Sequence, residues 1–356
     1  MKHLTIKFVL ASAVLAVGCG GAKEKTVVAE AIKPVIVTET TLHDTDDPAI
    51  WINPSDPSKS MIIGTDKDVD GALYAFDLEG KIIPEKTVKG LKRPNNVDIA
   101  YGLVVAGDTL DIAVTGERFT HNMRIFSLPD MKPIDGGGIP VFEGETGVEF
   151  RDLMGVALYK RPSDGAIFAI MGRKTGPMDG SYLWQYLLEG TEDGTVQATL
   201  VRKFGLFSGI KEIEAIAVDH ELGYVYYSDE TVGVRKYYAD PDKGNEELAL
   251  FGTTGFTRDN EGISIFDNGE GKGFILVSDQ QANQFQVFQR EGTSENPHQH
   301  NLLKVIKVST NESDGSEISN VAFNATFKNG IFVAMSDNRT FQYYSIEDIL
   351  GELFQK

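Results

Sequence analysis

Short apolar runs separated by polar clusters recur along this chain, and the same order of elements appears six times. Each unit has a polar or acidic cluster, a short apolar strand, a turn, and a second apolar strand that runs out into charged residues. The units are "DDPAIWINPSDPSKSMIIGTDK" from Asp46, "NNVDIAYGLVVAGDTLDIAVTGER" from Asn95, "RDLMGVALYKRPSDGAIFAIMGRK" from Arg151, "EIEAIAVDHELGYVYYSDE" from Glu212, "DNEGISIFDNGEGKGFILVSDQ" from Asp259 and "EISNVAFNATFKNGIFVAMSDN" from Glu317. Their starts lie 47 to 61 residues apart. A further β-like stretch follows each hairpin, such as "GALYAFDL" or "RTFQYYSI". Aromatic and β-branched residues mark the strands, and Gly, Asn and Asp mark the turns. Regular units of this length predict an all-β fold, a six-bladed β-propeller whose four-stranded antiparallel blades surround a central channel. The stretch "KPVIVTET" near the start predicts a spare strand that completes the last blade. A pair of β-sandwiches would also show many short strands, but would not need matching polar punctuation at six places.

The same pattern places side chains. In an antiparallel hairpin the lead-in to the first strand lies beside the run-out of the second. Propeller symmetry then gathers six such junctions on one face, around the channel mouth. The run-outs are cationic on units one to three, as Lys67, Arg118, Arg173 and Lys174, whereas units four to six offer mostly carboxylates and amides. One face should therefore carry a basic arc and an acidic arc. Dense carboxylates stay ionised only with cations nearby. Hard oxygen ligands in number, without His or Cys, suit calcium. The basic arc suits a phosphate or carboxylate, which Arg can grip with two prongs. Taken singly, each acid is equally a solvated loop tip; a shared rim is what argues for a site.

Composition narrows the partners. The 356 residues carry a formal charge of −18. That disfavours nucleic acid and anionic membrane surfaces, which are bound mainly through phosphate electrostatics. It fits a collector of cations, although an acidic surface also confers solubility. At the N-terminus, Lys2 and Lys7 flank the start of an apolar run, Phe8 to Val17, and small residues follow. This reads as an export signal over residues 1–19, too short to span a membrane as a mature helix. "AVGC", ending at Cys19, resembles a bacterial lipoprotein box with Ala16 where Leu is usual; an ordinary cleaved signal is the alternative. Residues 20–35 read as a tether and 36–356 as the propeller. The expected location is outside the cytoplasm, as an outer-membrane or periplasmic lipoprotein or a secreted protein, touching membrane only through an N-terminal lipid anchor. Cys19 is the sole cysteine, so the exported body offers no disulfide and no thiol nucleophile. Six histidines are scattered, and no HExxH, GxSxG or P-loop spacing occurs.

At "DTDDPAIW" (44–51), together with "GTDK" (64–67), "NNVDI" (95–99) and "DNEGISIF" (259–266), the sequence resembles the β-propeller phytases, secreted bacterial calcium-dependent phosphatases of inositol hexakisphosphate. The likeness covers about residues 36–356. It implies 3-phytase activity and a cleft lined by several calcium ions at one end of the propeller. By the resemblance, Asp46, Glu214, Glu230, Asp259 and Glu261 ligate calcium in the cleft. Gln280 lies at a matching polar position, Asp47 ligates a structural calcium, and Asp314 supplies a further ligand. Lys67, Arg118 and Lys174 match phosphate-binding cations, and Arg173 adjoins them in the basic arc. The implied reaction is attack by a calcium-activated water, with Glu230, Lys67 and Arg118 as the catalytic groups. The implied substrate is phytate as its calcium complex, and a monomer is expected. Met154 of "LMGVALY" stands where the best-known members carry a phosphate-binding tyrosine, and "ESDGSEISN" thins an acid-rich stretch. A non-catalytic, calcium-stabilised binding propeller at the cell surface is the competing expectation.

Overall fold

A computed structural model describes residues 30–354. The expected export signal and most of the expected tether lie outside the described residues. Among these, six antiparallel sheets follow one another in chain order. Their innermost strands are Thr45–Trp51, Pro94–Val105, Leu153–Lys160, Ile216–Asp219, Asn260–Gly269 and Ser316–Ser319. Blades 1 to 5 each take their outer strands from the following stretch of chain. Blade 6 receives its outermost strand, Ile36–Val37, from the start of the described chain, with Ile36 opposite Tyr343 and Val37 opposite Gln342. The expected spare strand therefore closes the ring. The packed chain begins a little before the expected boundary at 36. Ile32 N donates to Lys307 O, and Ser309 N to Ile32 O.

The core lies between blades. Six apolar clusters each join two neighbouring blades, and the last joins blade 6 back to blade 1. Middle strands are covered on both faces, so a strand such as Met61–Asp66 is buried at every position, its polar end included. The channel contains a cavity of about 270 Å³ whose lining includes the carboxylates Asp47, Asp98 and Glu317.

Four inner strands carry the same irregularity at their start. Thr45 pairs with Asp66 and Pro48 with Gly64, so Asp46 and Asp47 together oppose only Thr65. The register shifts alike at Pro94/Val97, Leu153/Val156 and Asn260/Ile263. Such a bulge leaves an extra residue and re-aims side chains that would otherwise alternate. It lets Asp46 join the mouth of the channel while Asp47 lines its wall. Close approach of successive inner strands goes with it. A Cβ on Gly155 would lie 2.3 Å from Glu214 O, and one on Gly315 would lie 2.3 Å from Asp47 Oδ1.

Candidate active site

Six backbone hydrogen bonds tie each run-out to its own lead-in. Lys67 N donates to Asp44 O, Arg118 N to Arg93 O, Lys174 N to Asp152 O, Glu230 N to Glu212 O, Gln280 N to Asp259 O and Asp337 N to Asn311 O, at 2.6–3.2 Å. These six positions are equivalent around the ring. Their side chains read Lys, Arg, Lys on blades 1 to 3 and Glu, Gln, Asp on blades 4 to 6. The expected basic and acidic arcs are thus set by one structural position.

The preceding residue has a different task, because side chains alternate along a strand. Asp66 accepts from His43 N and Asp44 N, Glu117 from Lys92 N, Asp229 from Ser208 N, and Asp279 from Thr257 N. These residues staple incoming loops. Arg173 belongs to this set, which corrects its expected place among the substrate-binding cations. It is fully buried, donates to the carbonyls of Tyr182, Phe150 and Ser181 and to Glu145, and lies 4.5 Å from the Phe142 ring centroid. No part of it reaches the mouth. Lys174 does, with its side chain 36% exposed and its ammonium 4.0 Å from Glu212.

Lys67 and Arg118 are more deeply set than rim residues. Lys67 Nζ lies 2.7 Å from Asp46 Oδ1 and 3.2 Å from Asp314 Oδ2. Although burial opposes it, the carboxylates of Asp46, Glu214 and Asp314 hold this ammonium well above its usual range. Gln280 Nε2 donates to Asp314 Oδ1. Arg118 is 6% exposed; its Nε donates to Leu153 O, and Nη2 meets both Asn95 Oδ1 and Met154 Sδ. Asn95 Nδ2 in turn donates to Glu214 Oε1 at 2.8 Å. Met154 is 1% exposed. It supports the guanidinium from beneath rather than lining an open cleft.

The acidic arc forms two overlapping triads. Oxygens of Glu212, Glu214 and Glu230 lie within 4.8 Å of one another, as do those of Glu230, Asp259 and Glu261. Burial pushes the Glu230 carboxyl up to about 8; the nearby Glu214 adds to the rise, and Lys211 opposes it. Burial likewise raises Asp46 and Glu261, helped by neighbouring carboxylates. Asp46 Oδ2, Glu230 Oε1 and Glu261 Oε2 are buried and accept no hydrogen bond. A buried oxygen without a donor is costly. Those of Glu230 and Glu261 in the acidic arc, and of Asp46 at the same mouth, are what a hard cation would satisfy, so this donor set fits calcium. Asp47 sits apart from both triads, on the channel wall, where Oδ2 accepts from Val97 N.

Lys211, which the strand pattern does not mark, sits against this arc. Lys211 Nζ contacts Glu230 Oε2 and lies 2.8 Å from Asp259 Oδ2. The cations of the basic arc stand at run-outs, whereas Lys211 comes from a lead-in, directly before "EIE". Asp98 and Glu317 likewise face the channel rather than the mouth.

Fold and site together define a class, the six-bladed propellers with a carboxylate-rich mouth and a cationic flank. Within that class the chain belongs to the phytase family, whose model matches residues 4–348. It is 27% identical over 329 residues to "3-phytase" of Bacillus subtilis (strain 168), across 86% of this chain and 81% of that protein. Among solved structures, "Structure of Dos1 propeller" is similar at a TM-score of 0.42 and 12% identity, covering 85% of this chain and 68% of that one.

Proposed function

We propose that this phytase-family enzyme removes phosphate from inositol hexakisphosphate and depends on calcium held by its acidic arc. The observation that carries the reading is that one ring position supplies the cations Lys67, Arg118 and Lys174 on blades 1 to 3, at the same mouth that holds two triads of partly unsatisfied carboxylates. The 3-phytase relative supports the choice of substrate.

Glu212, Glu214 and Glu230 would hold one ion, and Glu230, Asp259 and Glu261 another, with Asp46 and Asp314 beside them. Bound calcium neutralises phosphate charge and makes a coordinated water more acidic. The chain's own cations do the rest. Arg118, fixed by Leu153 O and Asn95, presents its guanidinium to the phosphate oxygens and balances charge that grows in the transition state. Lys67 stands beside it, already aligned by Asp46 and Asp314. Lys174, more exposed, suits a second phosphate of the same substrate. The buried Glu230 bridges both triads and so fixes the spacing of what they hold.

The same proposal extends to location: an exported protein, either anchored through a lipid on Cys19 or secreted, and acting as a monomer. Mass spectrometry of the mature N-terminus tests the anchor. Phosphate release from phytate with calcium present tests the activity. Steady release is expected, and no release from phytate alongside turnover of simple phosphomonoesters would overturn the substrate.

A further inference from the structure

We propose that Lys211 is a built-in counter-ion that competes with divalent metal for the Glu230–Asp259–Glu261 triad. The inference rests on the metal reading above and concerns a residue that neither the arcs nor the implied mechanism uses.

The geometry points one way. Lys211 Nζ touches two of the three members of this triad, Glu230 and Asp259. The triad's oxygens lie within 4.8 Å of one another, so the ammonium and a metal ion would claim the same space. The third member, Glu261, keeps a buried oxygen with no donor, as does Glu230 through Oε1. A single positive charge therefore leaves the triad electrostatically unfinished, and a divalent ion would complete it. The partners also differ in freedom. Glu230 and Glu261 are 0% and 1% exposed, whereas the Lys211 side chain is 40% exposed. The carboxylates are fixed and the lysine can leave. A lysine stem has four flexible carbons and its ammonium is a compact point charge, suited to standing in for an ion and then swinging into water.

Two consequences follow. At low metal, Lys211 keeps three crowded carboxylates from repelling one another, so the fold tolerates an empty triad. Metal loading then requires expulsion of the ammonium, so apparent affinity is reduced to the fraction of time the lysine is out of the site. A lysine engaged nine-tenths of the time would weaken binding by about tenfold.

The test is calorimetric titration of calcium alone into the chelator-stripped full-length protein, for wild type and Lys211→Met. Lys211→Arg retains the cation, and Lys92→Met removes an exposed rim lysine outside the triad as a control for net charge. The expected result is that one calcium-binding step tightens by about tenfold or more in Lys211→Met. Lys211→Arg and Lys92→Met should follow the wild-type isotherm. The melting temperature of Lys211→Met without calcium should drop below wild type, and calcium should restore it. Binding that is present but identical in wild type and Lys211→Met would overturn the counter-ion assignment. An equal gain in Lys92→Met would overturn it too, by reducing the effect to net charge. No calcium uptake by any variant would overturn the metal reading itself.

Discussion

Blades 1–3 and blades 4–6 share one backbone plan and oppose each other in charge. The run-out position that is Lys67, Arg118 and Lys174 in the first half is Glu230, Gln280 and Asp337 in the second, each held by the same amide-to-carbonyl bond. In the first half the cations are already matched. Lys67 sits between Asp46 and Asp314, and Arg118 rests on Asn95, Leu153 O and Met154. In the second half the anions exceed their partners, and buried oxygens of Glu230 and Glu261 accept nothing. A propeller needs its blades alike only where they pack on each other. The mouth is free to vary, so sequence change there alters chemistry without altering the fold.

The sharpest way to break this contrast is Lys67→Ala. Removing the cation leaves Asp46 and Asp314 buried without their partner, which should cost about 3–5 kcal/mol of stability. Phosphate release should fall by about a hundredfold or more, as for other charge-stabilising donors. Lys174→Ala, on an exposed side chain, should change stability by less than about 1 kcal/mol. Denaturant unfolding of both variants checks the difference, and equal losses would erase the distinction between a buried and an exposed cation.

An acid from the opposite half should behave in reverse. Glu230→Gln relieves crowding in both triads, so the metal-free protein should be as stable as wild type or more so. Its melting temperature should rise much less when calcium is added, because ligand binding to the native state is what raises it. Melting curves with and without calcium decide this.

The channel allows a test that bypasses the mouth. Burial, with Asp98 nearby, pushes Glu317 up to about 8 from 4.5. Between those values the folded state holds a proton that the unfolded chain has released, so stability falls as pH rises from about 4.5 to about 8. Glu317→Gln should flatten that part of the stability profile, followed by denaturant unfolding across the range. An unchanged slope would mean that Glu317 does not titrate abnormally.

The smallest effect is expected at Met154. Met154→Leu conserves volume and should cost less than about 1.5 kcal/mol. Loss of the thioether beneath Arg118 should slow turnover only several-fold. A tyrosine there would have to enter a site that is 1% exposed, so Met154→Tyr should destabilise through overpacking by about 1–3 kcal/mol rather than simply add a phosphate contact.

Much of this was legible in the sequence because the propeller repeats. Six matching hairpins gave the blades, and strand pairing gave the shared face with its two arcs. What escaped lay at single-residue resolution. In "GRK" both cations look equally available, yet alternation turns Arg173 inward and Lys174 outward. Lys211 precedes its strand, where the pattern marked only acids. The bulges that separate Asp46 from Asp47 leave no signature in hydrophobic periodicity, since both residues are polar. In each case the deciding fact is where a side chain points at the end of a strand, which depends on backbone irregularity rather than composition.

The central claim is that the acidic half works only with metal. The most direct measurement is phosphate release from phytate while calcium is titrated back into chelator-stripped protein. The account predicts almost no release at the start and a saturable rise as the triads of blades 4 and 5 fill. Full activity in the presence of a strong chelator would contradict it.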